Sequence, residues 1–169
     1  NGLYNALNIG VALVKTEYYM LLHADDLICD MRSFGEAYDL IRYGNLDMIL
    51  GGSKIGNRQH LSLNWRPWMF HIHVQPPHLP IIYKTSKCSV IRFSESIPTI
   101  ADFYCLKDMF KAKLSYVHTG KVYIKMGTGG LTTSGLKSAL LVTREFAKVE
   151  GQKAWLIAPF RIILKAIIK

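Results

Sequence analysis

The segment Tyr18-Tyr19-Met20-Leu21-Leu22-His23-Ala24-Asp25-Asp26 does most to limit what this chain can fold into. A short apolar run ending on two adjacent carboxylates has the pattern of a buried parallel strand that delivers acids to a sheet edge. In open α/β sheets, ligands bind just beyond the carboxyl ends of the strands. Two acids at such a place can hold a divalent cation and, through it, an anionic ligand such as a diphosphate.

The rest of the chain bounds that reading. Its 169 residues, 50% of them hydrophobic, suffice for one domain with a proper core. Cys29, Cys88 and Cys105 are odd in number and lack a CxxC spacing, which argues against a disulfide framework or a four-thiolate zinc site and makes a reducing compartment the default. The formal net charge of +9 favours an anionic partner, whether nucleic acid, a membrane surface or a phosphorylated ligand, without choosing among them. No apolar run is long enough to predict a transmembrane helix, and no signal peptide is visible. The chain opens on Asn1 within patterned sequence, and a missing N-terminal portion is expected.

Apolar spacing over Leu3 to Val14 predicts a helix packed on a sheet. The pattern then gives a strand over Tyr18 to His23, an acidic loop to Asp30, a helix from Phe34 to Tyr43 capped by Ser33, and a strand over Asp47 to Leu50 that stops at Gly51-Gly52. Residues 53–79 read as irregular, with the character of a binding loop. Further strands are expected over Ile81 to Tyr83, Leu114 to His118 and Val122 to Met126, with a helix over Ile100 to Ala112. Gly127 to Gly130 reads as a flexible loop, followed by a helix from Thr133 or Ser134 to about Glu150. In the apolar tail from Lys153, the residues Arg161, Lys165 and Lys169 recur every fourth position and predict one basic stripe. That tail could lie in a membrane interface or dock on the protein as a terminal helix.

Beyond Asp25 and Asp26, Asp102 falls in a first helical turn, where it could cap the helix or act as a general base. His71 and His73 would point the same way on a strand, as zinc ligands can, although no nearby carboxylate completes the set. Pro76-Pro77 stiffens the backbone before His78 and could fix that ring in a cleft. Trp65, Trp68 and Phe70 could stack on a sugar, touch a membrane or fill a core.

Together these segments resemble a family 2 glycosyltransferase of the GT-A fold, of the kind that assembles polysaccharides. Asn1 to Val11 resembles the family's "DxGIYDAMNKGI" helix, and Tyr18 to Asp26 its "YIxFLNADD" strand with a DxD-type metal motif. Pro76-Pro77-His78 resembles its "PPHP" segment, Ala101-Asp102-Phe103 its "aDY" segment, and Gly129-Gly130-Leu131-Thr132 a late "GGIS" loop. Ile9, Asn5, Leu79 and Phe103 stand where the pattern has Lys, Asp, Pro and Tyr.

The resemblance implies a mixed, mainly parallel α/β sheet flanked by helices. Residues 1–150 would form the C-terminal two-thirds of the domain, and residues 151–169 a basic amphipathic helix. It implies an inverting, metal-dependent transfer of a sugar from a nucleotide-diphosphate donor to a saccharide or lipid-linked hydroxyl, in the cytoplasm or peripherally on the inner face of the plasma membrane. Asp26, helped by Asp25, would hold Mn²⁺ or Mg²⁺; Asn8, Gly10 and Asp25 would face the donor; His78 would line the acceptor side; and Asp102 would be the base. The alternatives are a basic nucleic-acid-binding module, for which no motif is visible, and a His-dependent metal hydrolase.

Overall fold

The computed structural model describes residues 2–61, 63–127 and 135–167. Helix α1 (Leu3–Leu13) leads into strand β1 (Tyr18–Met20) and the two-residue strand β2 (Leu27–Ile28). Helix α2 (Met31–Gly44), β3 (Met48–Ile55) and β4 (Arg58–His60) follow, then a 3₁₀ helix (Pro67–Ile72). Next come β5 (Ile81–Lys84), the short α3 (Thr85–Cys88), α4 (Ala101–Lys111), β6 (Tyr116–Lys125), α5 (Gly135–Glu150) and α6 (Lys153–Ile167).

The fold is a mixed α/β sheet flanked by helices. The strands run in the order β1-β5-β3-β6-β2, with β4 paired to β3. The pairings correct the expectation of a mainly parallel sheet, because only β3 and β6 are parallel among the described strands. Burial explains why the apolar runs misled. Along β3, Met48 and Leu50 join one core cluster while Ile49 joins the other; along β5, Ile81 and Tyr83 face one way and Ile82 the other. Residues of α2 cover the second face, and residues of α1, α4, α5 and α6 the first. A strand covered on both faces reads as continuously apolar whatever its direction. Strand β1, which leads into the turn bearing Asp25 and Asp26, is itself at the end of the sheet order and pairs antiparallel with β5, Tyr19 opposite Tyr83.

Other boundaries differ for local reasons. Strand β3 does not stop at Gly51-Gly52 but crosses them, because Gly51 has no side chain: a Cβ there would lie 2.2 Å from the Tyr123 hydroxyl. The two strands expected around Gly120 are one, β6, in which Gly120 takes a left-handed φ of 66° beside a register shift against β3. Helix α2 is capped by Asp30 rather than Ser33; Ser33 instead donates its backbone N–H to Asp30 Oδ1 at 3.0 Å. The supposed acidic loop contains β2, paired with the end of β6. The expected helix start at Thr133 or Ser134, with the rest of 128–134, lies outside the described residues.

The tail is indeed a helix, but Arg161 does not lie on an outward basic stripe. It is buried against α5, where Nη2 donates to Thr143 Oγ1 at 2.7 Å and to the Ala139 carbonyl at 3.1 Å. A guanidinium buried this way needs hydrogen-bond acceptors, and these two oxygens of α5 supply them to Nη2.

Candidate active site

The site is assembled where three segments meet: the turn after β1, the proline-stiffened approach to β5, and the first turn of α4. Leu21 anchors the first turn in the core. The chain then bends so that the Asp26 carboxylate folds back on its own loop. Its Oδ2 accepts the His23 backbone N–H at 3.1 Å, and its Oδ1 accepts the Gly127 N–H at 3.1 Å. Asp26 is 6% exposed, and its two oxygens are thus both committed to backbone donors. Asp25 differs. It is exposed and makes no hydrogen bond or ion pair among the described residues. Gly127 lies so close that a Cβ there would sit 1.8 Å from Asp25 Oδ2.

On the other side, Asp102 occupies the first turn of α4. Oδ1 accepts the Tyr4 hydroxyl at 3.2 Å, Oδ2 accepts Gln75 Nε2 at 2.5 Å, and His78 Nδ1 lies 3.2 Å from Oδ2. Burial, reinforced by the Asp102 charge, pushes the Tyr4 phenol well above its ordinary range, so it stays a donor. Two donors, Tyr4 from α1 and Gln75 from the approach to β5, therefore hold this carboxylate, with the His78 ring beside it.

Two imidazoles bridge the halves. The rings of His23 and His78 are 6.0 Å apart between centroids, and His23 Nδ1 is 3.8 Å from Asp26 Oδ2. The His78 ring is pushed toward its neutral form by its sunken position, against the pull of Asp102 and, more weakly, Asp26. The contacts from Asp26 to His23, from His23 to His78 and from His78 to Asp102 thus link the turn after β1 to the first turn of α4. The remaining His23 nitrogen, Nε2, is buried without a partner among the described residues.

The other expected residues fall elsewhere. Asn8 faces the loop before α4: its amide donates to the Phe93 carbonyl and accepts the Phe93 N–H, each at 2.9 Å. Gly10 is exposed on α1. His71 and His73 do not form a strand pair. They end the 3₁₀ helix, where His71 is exposed and His73, at φ 56°, turns inward. The His73 ring stacks on Phe146 at 3.8 Å, and its Nε2–H donates to Glu150 at 2.9 Å. Trp65 and Phe70 are core, while Trp68 is 55% exposed. Among the described residues no group of three His, Cys, Asp or Glu is placed to hold a metal ion. The Gly129 to Thr132 segment lies outside the described residues.

Sequence reasoning passed over Tyr4, Gln75, His23 and Gly127. Each had a signal: all four lie within or immediately beside the segments already singled out, two residues from Asp25 in the case of His23.

The structure is similar to solved structures of S. aureus TarS, a glycosyltransferase. Residues 1–349 of TarS in complex with UDP match with a TM-score of 0.55 at 18% identity, over 95% of this chain and 50% of that one. The same TarS segment in a second structure gives 0.56 at 19% identity, over 94% and 49%. A longer TarS chain gives 0.56 at 18% identity, over 87% and 30%. This chain thus shares a glycosyltransferase-like fold and spans about half the length of the first of these structures. No protein-family profile and no curated protein sequence matches it.

Proposed function

We propose that this chain carries the acceptor side and catalytic centre of an inverting glycosyltransferase. It would move a sugar from a nucleotide-diphosphate donor to a hydroxyl of a saccharide or lipid-linked acceptor, in polysaccharide or glycolipid synthesis at the cytoplasmic side of a membrane. The observation that carries this reading is Asp102, hydrogen-bonded by Tyr4 and Gln75 and next to His78, whose ring neighbours that of His23 on the turn bearing Asp25 and Asp26. The UDP in the matched TarS structure is consistent with a nucleotide donor.

The donor set fits a small hard cation. Mg²⁺ and Mn²⁺ take oxygen ligands, commonly one or two carboxylates plus substrate phosphates and waters, so a third protein ligand is not required. Asp25, free of protein partners among the described residues, would contact the ion; Asp26 would hold the turn that aims it, with a lone pair to spare. When bound, the ion would neutralise charge gathering on the departing diphosphate.

The residues of the chain supply the rest. An acceptor hydroxyl beside His78 attacks the anomeric carbon from the face opposite the diphosphate. As the new C–O bond forms, its proton passes to Asp102, and the old C–O bond breaks with its electron pair left on the diphosphate. Tyr4 and Gln75 keep the carboxylate oriented, and positioning supplies much of the acceleration.

The test is a panel of nucleotide sugars with Mn²⁺ and candidate acceptors, with anomeric configuration read by proton NMR. Inverted product supports the reading. Retained configuration, or no binding of any nucleoside diphosphate, overturns it.

A further inference from the structure

We propose that the outer face of the α5–α6 pair rests on the surface of an anionic lipid bilayer, as a monotopic docking surface. The proposal stands apart from the transferase reading. Helix α6 sorts its side chains by position. Ala154, Ala158 and Arg161 face inward, whereas Leu156, Phe160 and Ile163 are 74%, 66% and 59% exposed. The outward set recurs at i, i+4 and i+7, and therefore forms one stripe along the helix. Exposed Lys153 begins the same stripe, three residues before Leu156. Large apolar side chains stacked along one face of a helix mark an interaction site, unlike scattered single exposures.

Helix α5 extends this surface. Its exposed residues Lys137, Leu140, Leu141, Arg144 and Lys148 share one stripe at helical spacing. Leu140 lines an apolar groove with Trp155, Ile162 and Ile163, which joins the two helices.

Charge selects the occupant. Residues 135–167 hold only two acids, Glu145 and Glu150. Glu145 is buried and paired with Lys148, while Glu150 is engaged by His73 and Tyr104. The exposed charges on these helices are therefore all cationic, around an apolar surface. That combination matches an interface of acyl chains and anionic headgroups, where apolar burial and cation attraction add. Among the described residues no helix is long and apolar enough to cross a membrane, so the helices would lie on the surface. The basic contribution comes from Lys137, Arg144 and Lys153 and not from Arg161, which the fold turns inward.

The test is co-sedimentation of the full chain with vesicles of phosphatidylcholine alone or mixed equally with phosphatidylglycerol. The chain is expected to pellet with the mixed vesicles and to be released by salt. Phe160→Ser combined with Ile163→Ser should weaken binding by roughly tenfold or more per side chain. Both side chains are exposed, so the thermal midpoint should hold. Lys137→Glu with Lys153→Glu should lessen binding to the mixed vesicles and its salt dependence. Equal binding to both vesicle types, no binding to either, or a dimer in light scattering that the serine variants dissociate would overturn the proposal.

Discussion

The Gly127 backbone N–H reaches Asp26 Oδ1 across 3.1 Å and 101 residues of chain. It ties the exit of β6 to the turn after β1, and the missing side chain of Gly127 leaves the room that Asp25 occupies. Gly127→Ala should displace the Asp25 carboxylate and lower kcat/KM by about 10²-fold, the scale of a misplacement near 1 Å. Asp25 is exposed, so thermal stability should change little. Steady-state kinetics beside a melting curve separate the two effects.

Asp25 and Asp26 should fail differently. Asp25→Asn leaves every described hydrogen bond in place, so it should spare stability and abolish cation-dependent nucleoside diphosphate binding, read by calorimetry with and without EDTA. Asp26→Asn leaves one of the two N–H groups that meet this buried carboxylate without a good acceptor and should cost about 1–3 kcal/mol of stability. Equal stability losses in the two variants would reject this division of roles.

Asp102→Asn should reduce kcat by roughly 10²–10⁴-fold, the usual worth of a general base, with donor affinity unchanged. Tyr4→Phe and Gln75→Leu each remove one donor from that carboxylate, and several-fold to about tenfold losses in kcat are expected from the worth of a hydrogen bond. Near-full activity in Asp102→Asn would remove the base from this position.

Acid should destabilise the fold through its histidines. Burial holds His73, His78 and His118 below their ordinary value of 6.5, in His73 despite the Glu150 carboxylate beside it. Below that value the unfolded chain binds protons that the folded chain refuses, so their contribution to stability is present above pH 6.5 and falls as pH drops through the folded values. Glu150 adds a later loss. Burial alone would raise it, but bonds from His73 and Tyr104 hold it below its ordinary 4.5. Thermal midpoints should decline steadily below pH 6.5, and His73→Gln should flatten the upper part of that slope.

Gly51→Ala tests the sheet beneath the site. The Tyr123 ring fills the place of a Gly51 side chain, and its hydroxyl donates to the Pro80 carbonyl at 2.5 Å, two residues beyond His78. Overpacking there should cost about 3 kcal/mol or more. Tyr123→Phe, which keeps the ring, should cost only about 1 kcal/mol, measured by denaturant melts.

The sequence made most elements legible because helix periodicity and strand length survive in the apolar pattern. It hid strand direction, since Ile49 and its neighbours Met48 and Leu50 are buried on opposite faces and look the same in either orientation. It hid the fate of His73 and Arg161, because a polar residue at helical or strand spacing does not declare which partner awaits it: Glu150 lies 77 residues from His73, and Thr143 lies 18 from Arg161. Asp25, Asp26, Asp102 and His78 could be singled out from their local context. That Tyr4 and Gln75 meet at Asp102 depends on contacts 98 and 27 residues apart, which no local pattern encodes.

Glu150, the last residue of α5, grips two segments at once, taking His73 on one oxygen and Tyr104 on the other. His73 stands two positions before Gln75, and Tyr104 two positions after Asp102. The end of the helix is therefore riveted to both sides of Asp102, so any tilt of α5 must drag the neighbours of that carboxylate along with it.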